Sequence, residues 1–299
     1  MNKVLSVPTD SWTTLPSSED LSVNFLRGTD LGKHEARYVR RSDDYFICYL
    51  SSHDGCKMGC RFCHLTQMRE NSDVPVTLEG YLEQSQHVFD HYDRVVKGGG
   101  QVPAQRVHFN FMARGDALLN PTILENFTEL KTKLEMFATE RGLEARFKVS
   151  SILPQATCFN DLSKISGENV ALYYSLYSFD DRFRRRWLPN AMDGYEALDR
   201  LARWQIETKG RVVLHWALIA GENDDLTQAK RIVTAVNSRR LKTKFNLVRY
   251  NTPGPNQGIE SSDLVRKDYF QVMCEGLSDP SRTIERVGMD VAASCGMFM

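Results

Sequence analysis

Three cysteines stand close together in the stretch "GCKMGCRFCH": Cys56, Cys60 and Cys63. Soft thiolates at such spacing select zinc or an iron–sulfur cluster. A structural zinc ion asks for a fourth ligand, and a second Cys-x-x-Cys or a His pair is missing, which leaves His53 and His64 as the nearby candidates. A redox pair needs only two cysteines. Three thiolates on one tight loop can instead hold three irons of a 4Fe–4S cube and leave the fourth iron open to a small molecule. The open cube is the leading reading, with zinc and a fully protein-ligated cluster as alternatives.

Four further cysteines, Cys48, Cys158, Cys274 and Cys295, bring the total to seven. An odd, unevenly placed set does not make a disulfide scaffold and points to thiols kept reduced for metal binding or catalysis. Cys158 and Cys274 read as buried or partly buried small hydrophobes. Cys295, flanked by small residues and glycine near the end of the sequence, reads as lying in a mobile, accessible segment, a setting suited to a group carrier.

The elements that must position these residues repeat along the chain. The first twenty residues are rich in Ser, Thr, Pro and Asp and predict irregular structure. "SVNFLRG" and "HEARYVRR" then predict two short strands forming a hairpin. After residue 44 strands alternate with amphipathic helices: "DYFICYLSS", "RVHFNFMA", "RFKVSSIL", "NVALYYSLYS", "GRVVLHWALI" and "KFNLVRYN" are strands too apolar for one solvent-facing side. Asn120 and Pro121 open one of the helices and Gly142 closes it. Six strand–helix units predict a partial (β/α)6 barrel, an α/β fold with a parallel sheet, over residues 45–299, preceded by an extension over 1–44. No Gly-x-Gly-x-x-Gly opens a helix, so a dinucleotide-binding sheet is the weaker choice. The three-cysteine loop follows the first barrel strand, at the carboxyl edge where parallel α/β folds place their chemistry.

Of 299 residues, 41% are hydrophobic and 10% aromatic, enough for a sizeable core. Lys plus Arg balances Asp plus Glu at 38 each, which excludes a non-specific polyanion-coating protein. The absence of a signal-peptide core and of any bilayer-length apolar run predicts a soluble, cytoplasmic protein that needs no membrane. Basic runs at 38–41, 182–186 and 238–244 are candidates for phosphate contacts.

Cys-x-x-x-Cys-x-x-Cys after the first strand of a partial barrel resembles the radical S-adenosylmethionine (SAM) superfamily, and from about residue 33 onward the chain resembles its RlmN/Cfr group. The tail "RVGMDVAASCGMFM" carries that group's closing pattern at Gly288, Asp290, Val291, Ala293, Cys295 and Gly296. The resemblance implies one 4Fe–4S cluster per chain on Cys56, Cys60 and Cys63, with SAM on the open iron. It also implies methylation of an adenine carbon in RNA, two SAM per turnover, and Cys295 as the methyl carrier. SAM contacts fall on Gly115 and Asp116 of "FMARGDALLNP", Ser150, Ser175, Leu176, Tyr177 (where the family has His) and Asn251. The family's second cysteine, which resolves the covalent adduct through a disulfide, maps to Cys48, provided a bulge at Tyr49–Leu50 absorbs one extra residue before Cys56. Glu35, thirteen residues before Cys48, takes the place of a proton acceptor.

The resemblance further implies a reductant such as flavodoxin or ferredoxin, and the expected state is a monomer. The family's helical accessory domain is not expected in the 44 residues ahead of the barrel. Two rival readings remain open: a radical SAM enzyme acting on a small molecule or peptide, and a non-catalytic iron–sulfur or RNA-binding module. Replacing any one of Cys56, Cys60 or Cys63 by Ala is expected to abolish the visible iron–sulfur absorbance and the reductive cleavage of SAM to deoxyadenosine. A single variant that keeps a full cluster would show that the ligands are elsewhere.

Overall fold

The computed structural model describes residues 11–299. Three antiparallel strands come first: β1 (Thr13–Pro16), β2 (Val23–Gly28) and β3 (Lys33–Ser42). The stretch 1–20, expected to be irregular, thus contains a strand, while its first ten residues lie outside the described part. β4 (Tyr45–Leu50) pairs antiparallel with β3 and parallel with β5 (Arg106–Phe111), making the seam between the meander and the barrel. Between them lie α1 (His64–Met68), which follows the cysteine loop, and α2 (Leu78–Lys97).

The parallel order then continues through α3 (Pro121–Glu125), α4 (Phe127–Thr139), β6 (Glu144–Ser151), α5 (Phe159–Lys164), β7 (Val170–Tyr174), α6 (Asp181–Trp187) and α7 (Gly194–Thr208). It closes with β8 (Arg211–Ala217), α8 (Leu226–Ser238), β9 (Thr243–Val248), α9 (Asp263–Gly276) and β10 (Arg282–Ile284). All ten strands form one sheet in chain order, with β4 to β10 parallel. This is the partial barrel, with one short strand, β10, that three residues of sequence do not announce.

The helices begin where the sequence supplies acceptors for their free N–H groups. Thr77 caps α2, Asn120 with Pro121 opens α3, and Asp193, Asp225 and Ser262 cap α7, α8 and α9. Strand residues alternate between two environments. Along β6, Ala145, Phe147, Val149 and Ser151 are buried on the helix side, whereas Arg146, Lys148 and Ser150 point to the barrel interior. Phe46, Phe89, Phe109, Phe127 and Phe147 pack ring on ring between sheet and helices. No helix among the described residues is long and apolar enough to cross a membrane.

After β10 the chain crosses back to the meander and fills the open side of the barrel. Val291 and Ala293 pack on Val39 and Ile47. Asp290 accepts from Ser17 and Ser18, and Asn24 donates to the Val291 carbonyl. The end of the tail is held by charge. Glu35, fully buried on β3, pairs with Arg37 at 2.7 Å and Arg114 at 2.8 Å, and accepts the Met299 N–H at 3.0 Å. Those two arginines donate in turn to the Met297 and Met299 carbonyls.

Burial alone would push the Glu35 carboxyl up, but Arg37 and Arg114 more than reverse this and hold it below the ordinary range. A carboxyl held low in the fold stabilises at neutral pH and loses that contribution as pH falls through its folded value. Glu35→Gln is therefore expected to cost about 3–5 kcal/mol at neutral pH, because it strands two buried guanidinium groups. It should also flatten the acid limb of the stability curve and expose residues 290–299 to limited proteolysis. An unchanged melting profile would remove Glu35 from this role.

Candidate active site

The β4–α1 loop places its thiols around one small cavity of about 130 Å³ that Cys56, Cys60, Cys63, Asp116, Ser150 and Ser175 share. Burial pushes the Cys56 thiol up to about 12 and Cys63 to about 11, and Cys60 well above its usual value, with neighbouring thiols adding to the effect. Such thiols need a cationic centre to exist as thiolates. Among the described residues no three His, Cys, Asp or Glu side chains converge as they would on a single ion. A cube takes one thiolate at each of three separated irons, so ligands spaced around a cavity suit it better than zinc.

Gly115 and Asp116 form the wall opposite the loop. Gly115 has φ +83°, and a Cβ there would stand 2.4 Å from His53 Nδ1, so the chain turns past the loop only with glycine. Asp116 accepts from Ser151 Oγ at 2.9 Å, from Ile152 N at 3.0 Å and from Leu118 N at 3.0 Å. Burial still raises its carboxyl to about 6. Ser150 and Ser175 line both this cavity and a larger one, and Ser175 Oγ donates to the His215 carbonyl. Tyr177, at φ +61°, stacks on Phe62 of the cysteine loop with ring centres 4.5 Å apart. Leu176, expected among the SAM contacts, has its side chain in the core with no exposed surface; only its carbonyl works locally, accepting from Arg184.

The larger cavity, about 390 Å³, runs down the barrel interior and brings Cys295 to the same chamber as Phe62, Cys63, Tyr49 and Tyr177. The Cys295 side chain is exposed to this space, and its backbone, expected to lie in a mobile segment, is hydrogen-bonded on both sides of the sulfur. Asn251 donates to the Cys295 carbonyl at 2.9 Å, and His64 N donates to the Gly296 carbonyl at 3.2 Å. Asn251 is itself fixed by Arg286. Enclosure raises the Cys295 thiol, and Arg37 and Arg41 act against that rise.

Two expected catalytic residues lie elsewhere. The β4 register is continuous through Leu50 against β3 and through Tyr49 against β5, and the irregularity falls between Arg40 and Ser42 instead. Without a bulge, alternation turns Cys48 to the helix side, fully buried and 4.0 Å from Ser85 Oγ of α2, and turns Tyr49 to the cavity. Glu35 lines neither cavity, because its oxygens are taken up by Arg37, Arg114 and the tail. Cys158 and Cys274, expected to be buried, are exposed. Parts of the basic runs are also consumed: Arg40 binds the Asp43 and Val102 carbonyls, Arg184 is buried on three carbonyls, and Arg239 pairs with Asp199. Tyr49, which stands at the family's seven-residue spacing before Cys56, takes the cavity position. Sequence reading missed Lys148, His215 and Arg282 as cavity residues, although the alternation in "RFKVSS" points Lys148 away from its apolar neighbours.

No family profile matches the sequence. It is 30% identical over 285 residues to the "Dual-specificity RNA methyltransferase RlmN" of Helicobacter hepaticus, covering 91% of this chain and 69% of that protein. It is 26% identical to the protein of the same description from a Sulfurovum species, covering 89% and 69%. Its fold matches the crystal structure of a radical SAM methyltransferase from Sphaerobacter thermophilus with a TM-score of 0.73, at 20% identity over 96% of this chain and 80% of that one.

The register of β4 makes a direct expectation. Cys48→Ala removes only a buried sulfur, so it should cost about 1–2 kcal/mol of stability and leave turnover and product unchanged. Tyr49→Ala, on the cavity side, should impair turnover with the fold intact. Accumulation of a covalent enzyme–substrate adduct in Cys48→Ala, read by intact-protein mass spectrometry, would reverse this assignment.

Proposed function

The chain belongs to the RlmN family of radical SAM methyltransferases, and from that premise we propose that it methylates an adenine carbon in RNA through a methyl group carried on Cys295. The observation that supports this most is the shared chamber: the three-cysteine loop and Cys295, more than two hundred residues apart in sequence, open onto connected cavities. When bound, a 4Fe–4S cluster on Cys56, Cys60 and Cys63 together with SAM supplies a carbon-centred radical able to take a hydrogen atom from an unactivated methyl group.

The protein's own part is loading, positioning and exclusion of water. A thiolate attacks a sulfonium methyl readily, whereas an aromatic ring carbon does not. In the loading step a new S–CH3 bond forms on Cys295, the donor's S–CH3 bond breaks, and S-adenosylhomocysteine leaves. Arg37 and Arg41 favour the thiolate this requires. Asn251 and the His64 N–H hold the backbone on either side of the sulfur so that the loaded methyl stays in the chamber. Gly115, Asp116, Ser150 and Ser175 shape the wall that would hold the SAM amino acid part, while the Tyr177–Phe62 stack forms an aromatic face beside it.

In this reading residues 45–299 carry the chemistry and residues 1–44 are the extension, the tail docking on its strands β2 and β3 and on the turn before β2. The electron comes from an external carrier of the flavodoxin or ferredoxin type, and thiols that must stay reduced fit a reducing, cytoplasmic setting. The cysteine that shares the cavity with Cys295 is Cys63, assigned here to the cluster, and Cys48 faces the helices, so we propose no internal disulfide as the release step.

Protein purified from cells should carry a mass increment of about 14 on the peptide containing Cys295, the signature of an S-methyl group. Cys295→Ala should still assemble the cluster and cleave SAM, yet transfer no methyl to RNA, as judged by nucleoside mass spectrometry. An unmethylated Cys295 together with full activity of the variant would overturn the proposal.

A further inference from the structure

Below Cys295 the cavity changes character. Its floor gathers Lys148 of β6, His215 of β8, Asn246 of β9, Arg282 of β10 and Arg41 of β3. Strand register puts His215, Asn246 and Arg282 side by side across three strands. Lys148 donates to His108 Nδ1 at 2.8 Å and packs over the Tyr173 ring. Among the described residues neither Lys148, Arg41 nor Arg282 pairs with a carboxylate; the acid lining this cavity, Glu285, is exposed and lies 3.9 Å from Arg249. Asn246, almost fully buried, leaves both amide atoms without a partner, and His215 Nδ1 is likewise unpartnered.

Lys148 and Arg41 are half-buried and Arg282 is exposed at the start of β10. Like charges gathered around the buried, unpartnered Asn246 amide repel one another unless something negative completes them. Tyr45, Tyr49, Tyr173 and Tyr177 add aromatic walls to the same cavity. We propose that the barrel floor is an oxyanion subsite that binds a phosphate group of the nucleotide presented to Cys295, held by Lys148, Arg282 and Arg41 with Asn246 and His215 as neutral partners. The inference rests on the proposed function only for the identity of the substrate as a nucleotide. The volume of about 390 Å³ suits a ligand of that size.

The state of Lys148 agrees with such a role. Burial lowers its ammonium to about 7, with Arg282, Lys244, Arg41 and Arg146 adding to the effect; His108 and Tyr173 are the other groups facing it. A lysine poised there is charged below about pH 7 and recovers its charge above it only when an anion arrives.

The test is equilibrium binding of adenosine, adenosine 5′-monophosphate and the dinucleotide ApA to the cluster-loaded protein. The monophosphate should bind about tenfold or more tighter than adenosine, because charge-assisted hydrogen bonds are the strong ones. That advantage should shrink from about pH 7 to about pH 9 in the wild type, where the phosphate charge no longer changes. It should disappear in Lys148→Met and in Arg282→Gln, both checked for cluster absorbance and circular dichroism, and Lys148→Met should lose the pH dependence. ApA, which has only an internal phosphodiester, separates the sources: binding like the monophosphate assigns the subsite to an RNA backbone phosphate, and binding like adenosine assigns it to a free or terminal phosphate. Equal affinity for adenosine and its monophosphate, or an advantage that survives in both variants, would overturn the proposal. Neither result depends on methylation of Cys295, so failure of the carrier reading is recognised separately.

Discussion

A carboxylate sealed from water must be neutralised by its neighbours, and in this chain Glu35 is that carboxylate. Two arginines meet it, Arg37 from the same strand and Arg114 from the loop after β5, and the Met299 N–H completes its shell. Arg114 also pairs with Glu70, which lies just after α1 and whose carbonyl accepts from Cys56 N, and Lys33 reaches both Glu70 and the Met299 carbonyl. One network therefore ties the meander, the cluster loop, the wall opposite it and the tail. Ion pairs of this kind contribute little net stability compared with an apolar core, but losing one partner is expensive. What the network supplies is position. Phe298 sits over both guanidinium groups, 4.9 Å from Arg37 and 5.8 Å from Arg114, and Cys295 follows from where Phe298 lies.

The sheet imposes a second constraint, since each strand offers its residues alternately to the helices and to the barrel interior. On β4 the helix face takes Phe46, Cys48 and Leu50, and the interior takes Tyr45, Ile47 and Tyr49. A displacement of one residue exchanges these sets completely. Cys295 thus shares the chamber with the Tyr49 phenol and with Cys63 of the three-cysteine loop, while Cys48 faces the helices.

These two constraints mark what the sequence could and could not reveal. The cysteine loop was legible because its three thiols are local and their spacing is itself the chemistry; the helix start at Asn120 was local too. "YFICYL" was not, because apolar or aromatic residues on both faces erase the period of two that would set the register. The role of Glu35 depends on Arg114, 79 positions away, and on Met299, 264 positions away, and no local pattern encodes either contact. β10 pairs through three residues and is specified by the neighbouring strand rather than by its own sequence.

The fixed backbone of Cys295 bears on how the chemistry is organised. A carrier on a floppy arm would ferry its methyl between separate sites, with the entropy of the arm lost at each docking. Here the Cys295 and Gly296 carbonyls are both bonded, Ser294 is tied to Val287 in both directions, and left-handed turns at Ala292 and Gly296 set the path. Only rotation about the cysteine side chain is left to bring the sulfur from one partner to the other. Donor and acceptor must then come to the sulfur within one chamber, so orientation is prepared during folding rather than at each turnover. The buried charges around Glu35 are what make that preparation durable, because the tail cannot leave without stripping Arg37 and Arg114 of the Met297 and Met299 carbonyls and Glu35 of the Met299 N–H.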